Sequence, residues 1–206
     1  LLLCSSLMST RASAQGLYAL SVGEQPTNGM QITSVPNITM TFGGNNAYSV
    51  DVWVAAVAES HLQNYTAYTA GNTQNPKDDG GKAYTSASGN VPTHGTYYVF
   101  QPLYDGTLCI AVACNTGKPF FITEDGAALS KYNGITYTDK FYGIDTISVK
   151  GNKTYYVFCT GSKLGLYGFS YETLGKEDPI TALQAKLTIR IANMRTMESD
   201  DKYKDI

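Results

Sequence analysis

The side chains best suited to chemistry in this chain are aromatic rings and amides rather than acids, bases or nucleophiles. The sequence holds 16 Tyr, 7 Phe and 1 Trp, more tyrosine than a core needs, because each buried phenol must find a hydrogen-bond partner. Rings standing outward from a sheet or in loops form flat, half-apolar platforms. Such platforms fit the C–H faces of sugar rings, with Asn, Asp, Lys and Gln reaching the hydroxyls. The candidate ligand contacts are Trp53 with Asp51 on one strand face, Tyr132 and Asn133 in the turn Tyr132-Asn133-Gly134, Tyr142, and Lys163 as a polar partner. For each ring alone, burial inside a sandwich is an equal alternative, since large aromatics are mostly buried.

Other chemistries leave weaker traces. His61 and His94 are not spaced as a metal pair, and a zinc site needs more nitrogen or sulfur ligands. Gly80-Gly81-Lys82-Ala83 lacks the upstream Gly and the Ser/Thr of a phosphate loop. Carboxylates sit beside Gly, as in Asp105-Gly106 and Glu124-Asp125-Gly126, where turn chemistry accounts for them and no facing pair for glycoside hydrolysis stands out. Asp78, Asp79 and Asp125 are hard oxygen ligands, so calcium is the one cofactor that the sequence allows, without the EF-hand spacing. The chain therefore reads as non-catalytic, with a polysaccharide lyase or hydrolase as the weaker reading.

The elements that would position these side chains are strands. Ile38, Met40 and Phe42 alternate with Thr39 and Thr41, giving one apolar and one wet face. The run Leu108–Cys114 is apolar on both faces, as in a central strand. Phe141–Lys150 and Lys153–Thr160 flank Gly151-Asn152, which predicts a hairpin, and Leu164–Glu172 predicts a third strand of the same meander. Gly95–Phe100 and Lys153–Phe158 nearly repeat each other, which predicts two strands in similar environments. The polar segment Ala70–Asn90 reads as a long surface loop. Turn signals between short strands, with almost no helical periodicity, predict an all-β fold: a two-sheet antiparallel sandwich or jelly roll with long polar loops.

The ends read differently. Leu1–Met8 is apolar and leads to Ala12-Ser13-Ala14, the pattern of a secretory signal peptide with a mature start near Gln15. Export to the extracellular space or cell surface follows. The sandwich is expected over residues 15–175, and residues 176–206 hold an amphipathic strand around Leu183–Ile191 and a loose charged tail. With 15 basic against 17 acidic groups, the net charge of −2 argues against nucleic acid as a partner, and no apolar run is long enough to span a bilayer. Cys109 and Cys114 are too far apart on one strand to pair, whereas a Cys109–Cys159 or Cys114–Cys159 bridge stays open. Three buried free thiols are the simpler expectation.

An ordered series of motifs resembles a known group. It comprises Ile38-Thr-Met-Thr-Phe-Gly43, Ala67-Tyr-Thr-Ala-Gly-Asn72, Val91-Pro-Thr-His-Gly-Thr-Tyr-Tyr98, Asp105-Gly-Thr-Leu108, Lys118-Pro-Phe-Phe121, Glu124-Asp-Gly126, Tyr132-Asn-Gly-Ile-Thr136 and Cys159-Thr-Gly-Ser-Lys-Leu-Gly165. These look like the secreted β-sandwich modules of anaerobic glycan-degrading bacteria, often joined to pectate lyases and related enzymes. The resemblance implies an extracellular, non-catalytic, carbohydrate-binding-like module whose partner is a plant or host polysaccharide, and it assigns no ligand residues. The alternative is a structural or adhesive protein that self-associates or docks a partner through its sheet edges.

Overall fold

The alternation in the sequence becomes two facing antiparallel sheets in the computed structural model, which describes residues 15–44, 50–52, 65–69, 91–93, 95–114, 117–136, 143–159 and 164–174. All of these belong to one compact unit, Gln15–Leu174; a second unit, Leu1–Ala14 with Gly175–Ile206, lies outside the described residues, and with it the expected signal peptide and C-terminal strand. The first sheet contains β1 (Gln15–Ala19), β13 (Leu164–Thr173), β7 (Gly106–Cys114) and β11 (Ile144–Val149), in that order. The second runs β10 (Ile135–Thr136), β8 (Pro119–Glu124), β12 (Tyr155–Cys159), β6 (Tyr97–Pro102), β3 (Ile38–Gly43) and β2 (Gln31–Ile32), with β9 (Ala127–Ala128) paired to β8. A short ladder of β4 (Val50–Val52) and β5 (Ala67–Thr69) completes the described strands.

From β6 to β8, and again from β11 to β13, each strand crosses to the opposite sheet, as in a jelly roll. The hairpin expected at Gly151-Asn152 is therefore a correction. The turn is present, but β11 pairs with β7 while β12 pairs with β6 and β8. Both strands are apolar on one face, through Ile147 and Val149 on one side and Tyr155 and Val157 on the other, so they bury more by facing each other across the core than by lying side by side. The near-repeat proves to be a self-pairing. Tyr155 lies opposite Phe100, Tyr156 opposite Val99, Val157 opposite Tyr98 and Phe158 opposite Tyr97.

Inward positions follow the expected period of two. Ile38, Met40 and Phe42 join Leu108, Ile110 and Val112 in the core, and the outward Ala111 and Ala113 of β7 are covered by Tyr65, Tyr68 and Tyr167. A bulge at Tyr167 breaks the β13–β7 register, so Leu166 and Phe169 both face inward although three residues apart. Asp125 and Gly126, both with positive φ, form the two-residue turn between β8 and β9, as Asp-Gly pairs do.

Buried polar groups tie the two sheets together. Tyr98 Oη donates to the Leu164 carbonyl (2.8 Å), and Thr69 Oγ1 donates to Tyr98 Oη (2.8 Å) while accepting the Leu166 N–H (2.7 Å). The Leu166 amide lies just past the point where β1 ends beside β13, so Thr69 takes over a backbone donor that would otherwise be orphaned.

Candidate functional site

The site begins with what strand alternation puts on the outer face of the second sheet. Thr39 lies opposite Gln101, Thr41 opposite Val99 and Gly43 opposite Tyr97, while β12 adds Tyr156 and Phe158 beside Val99 and Tyr97. Three rows result. The last is aromatic, Tyr97 with Phe158 and Phe121; the middle one holds Val99 with Tyr156; the first is polar. Phe121 and Phe158 are buried, whereas Tyr97 and Tyr156 are half-buried with ring centroids 6.5 Å apart. Gly43 lets the Tyr97 ring lie flat on the sheet, since a Cβ there would stand 2.1 Å from it. Burial raises the pKa of both phenols, so each presents a neutral hydroxyl.

The polar row opens into a groove of about 610 Å³ at the end of the sheet, where the turn before β3, the end of β6 and the turn before β12 meet. Asn37, Thr39, Gln101, Asn152 and Thr154, with Thr33 and Lys153, supply hydrogen-bonding groups to it. Asn37 and Asn152 both adopt left-handed φ, 64° and 60°. Both are anchored by their backbones to β6: Leu103 N–H donates to the Asn37 carbonyl, and Asn152 N–H donates to the Pro102 carbonyl, each at 2.8 Å. Asx residues tolerate this conformation, which explains their use at both rims. Among the described residues the groove lining contains no carboxylate, and its one cation, Lys153, donates to Asp125 Oδ2 at 2.7 Å. What remains is a neutral, amide-rich trough, each amide able both to donate and to accept. Tyr156 stands one outward step beyond Thr154 and Tyr97 two beyond Gln101, a run of about 13 Å from groove to aromatic row.

The sequence-expected contacts fall elsewhere. Trp53, Tyr142, Lys163, Asp78 and Asp79 lie outside the described residues, and Asp51 is placed by its backbone on β4, opposite Tyr68. Tyr132 is a correction: its ring is 2% exposed, packed edge-on against Phe120, with its hydroxyl donated to the Thr146 carbonyl at 2.8 Å. It ends a one-turn 3-10 helix, Ser130–Tyr132, to which strand alternation does not apply. Its neighbour Asn133 is exposed. Thr146 shows why the burial is useful. The Val112 N–H bond to the Gly143 carbonyl sets the ladder phase so that the Thr146 backbone points away from β7, at the open edge of β11. Tyr132 and Lys131 both hydrogen-bond that carbonyl and cover the edge. Asp125, offered as a calcium ligand, places Oδ2 on Lys153 and Oδ1 on the Thr154 N–H at 2.9 Å. The Lys153 hydrogen bond first, then that of Thr154, holds its carboxyl below the usual carboxylate range. Among the described residues no cluster of three or more His, Cys, Asp or Glu could hold a metal.

No helix among the described residues is long and apolar enough to cross a membrane. No family model and no curated protein matches this chain. Among solved structures, the Arthrobacter globiformis T6 isomalto-dextranase complexed with panose is similar over 66% of this chain and 23% of that one, at 10% identity and a TM-score of 0.34, a likeness too slight to bear on function.

Proposed function

We propose that this chain is an exported, non-catalytic module that binds a neutral polysaccharide along the outer face of its second sheet. The observation that carries the reading is the amide-lined groove of about 610 Å³, continuous with Tyr156 and Tyr97 on one strand face. Asn and Gln amides match sugar hydroxyls, which likewise donate and accept, while the half-exposed Tyr rings suit their C–H faces. That the described lining residues include no carboxylate supports binding over glycoside hydrolysis, which needs two of them. With Lys153 paired, the described lining residues offer no unbalanced charge to an acidic glycan. Export rests on the Leu1–Ala14 pattern, and kinship with the modules attached to pectate lyases rests on the quoted motifs.

Affinity electrophoresis in gels containing neutral plant polysaccharides tests this reading. The protein is expected to be retarded by at least one of them. Gln101→Ala and Tyr156→Ala should each weaken binding about tenfold, the effect of losing one or two good hydrogen bonds or a ring contact. Leu17→Ala, on the exposed surface of the other sheet, should bind normally. Equal retardation of all three variants, or none in any gel, contradicts the assignment.

A further inference from the structure

The core holds a second feature, independent of glycan binding. Cys114 ends β7 in the first sheet and Cys159 ends β12 in the second; both are buried, 3% and 1% exposed, and both belong to the same core cluster. The ladders bring these two strand ends to one level. Cys114 lies opposite Leu164, whose carbonyl accepts the Tyr98 hydroxyl from the other sheet, and Tyr98 lies opposite Val157, two residues before Cys159 on the same inward face. One tyrosine side chain therefore spans the gap at this end of the sandwich. The two thiols hydrogen-bond each other, and that bond, followed by burial, raises the pKa of the Cys114 thiol. Cys109 is excluded as a partner: it projects from the opposite face of β7, with Sγ 3.4 Å from Thr146 Oγ1.

We propose that Cys114 and Cys159 form a disulfide that staples the two sheets when the chain folds in the presence of a disulfide-bearing oxidant such as oxidised glutathione. In that exchange the two thiols lose their protons and their sulfurs bond. The two electrons released reduce the oxidant's disulfide to two thiols. Burial places the step before the core closes, because a protonated, enclosed thiol neither attacks nor meets an oxidant. The same burial then shields the bridge from reductants, so it is a fixed staple rather than a switch. It closes a loop of about 46 residues and joins opposite sheets, so it removes much of the unfolded chain's freedom.

The test refolds the full chain in a reduced/oxidised glutathione buffer, then alkylates it in denaturant and maps the peptides. The expected result is a linked Cys114–Cys159 peptide pair, about 2 Da lighter than the two thiols, with Cys109 alkylated. The melting temperature of the oxidised protein should exceed that of the fully reduced protein by roughly 10 °C, and Cys109→Ser should keep the full difference. Quantitative alkylation of Cys114 and Cys159 after oxidative refolding, or a link from either one to Cys109, overturns the proposal. Peptide mapping uses the unmodified sequence, so its result does not depend on a cysteine variant folding.

Discussion

Tyr98→Phe is expected to destabilise the fold by about 3 kcal/mol, although it removes a single oxygen atom. The ring stays, so the loss of packing is slight. What disappears is the group that accepts from Thr69 Oγ1 and donates to the Leu164 carbonyl inside a wholly buried site. The Leu164 carbonyl is left unpaired away from water, and the Thr69 hydroxyl, still accepting from the Leu166 N–H, loses its acceptor. Each unsatisfied buried group costs roughly 1–3 kcal/mol. Urea denaturation should show a lower midpoint with an unchanged slope. The double change Tyr98→Phe with Thr69→Val should cost clearly less than the sum of the single changes, because both act on one network. A Tyr98→Phe midpoint equal to that of the unaltered protein would mean that water satisfies these groups and that the network does not join the sheets.

Gly168→Ala is the second large effect, again about 3 kcal/mol. Gly168 lies opposite Ala19 in the β1–β13 ladder, where a Cβ would stand 2.1 Å from the Tyr18 carbonyl oxygen and 3.0 Å from the Ala19 Cα. Those atoms are backbone, so no rotamer change relieves the collision, and β1 must move off β13. Because β1 is an edge strand, its release should be visible on its own: faster amide hydrogen exchange at Tyr18 and Leu20, whose N–H groups face β13, with β7 amides still protected. Exchange that rises equally in both strands would place the strain in the core instead.

Much of this architecture is legible from residue type and spacing. The alternation Ile38–Phe42 fixes which face of β3 is wet, the doubly apolar run Leu108–Cys114 marks an internal strand, and Asp125-Gly126 marks a tight turn. The partners of β11 and β12 are not legible, because Gly151-Asn152 serves a hairpin and a sheet-to-sheet crossover equally well. Tyr132 misleads for a related reason. A Tyr-Asn-Gly turn looks exposed, yet the phenol has an apolar ring for Phe120 and a hydroxyl for an edge carbonyl, so burial satisfies both ends. The groove has no local signature at all. Asn37 with Thr39, Gln101, and Asn152 with Thr154 come from three distant segments and converge where the ends of β3, β6 and β12 meet. The near-repeat Gly95–Phe100 and Lys153–Phe158 misleads by one residue: in sequence Tyr97 matches Tyr155, yet the pairing of Phe158 with Tyr97 turns Tyr97 and Tyr156 outward and Tyr98 and Tyr155 into the core.

Glycan recognition on the second sheet is tested most directly by an amide NMR titration of the full chain with a neutral oligosaccharide taken from a polysaccharide that retards it. Signals of the Asn37, Gln101 and Asn152 side-chain amides and of the Thr39 and Thr154 backbone are predicted to shift, while those of Leu17, Cys109 and Ser170 on the opposite sheet stay still. Shifts confined to the opposite sheet, or an unchanged spectrum at millimolar ligand, would contradict it.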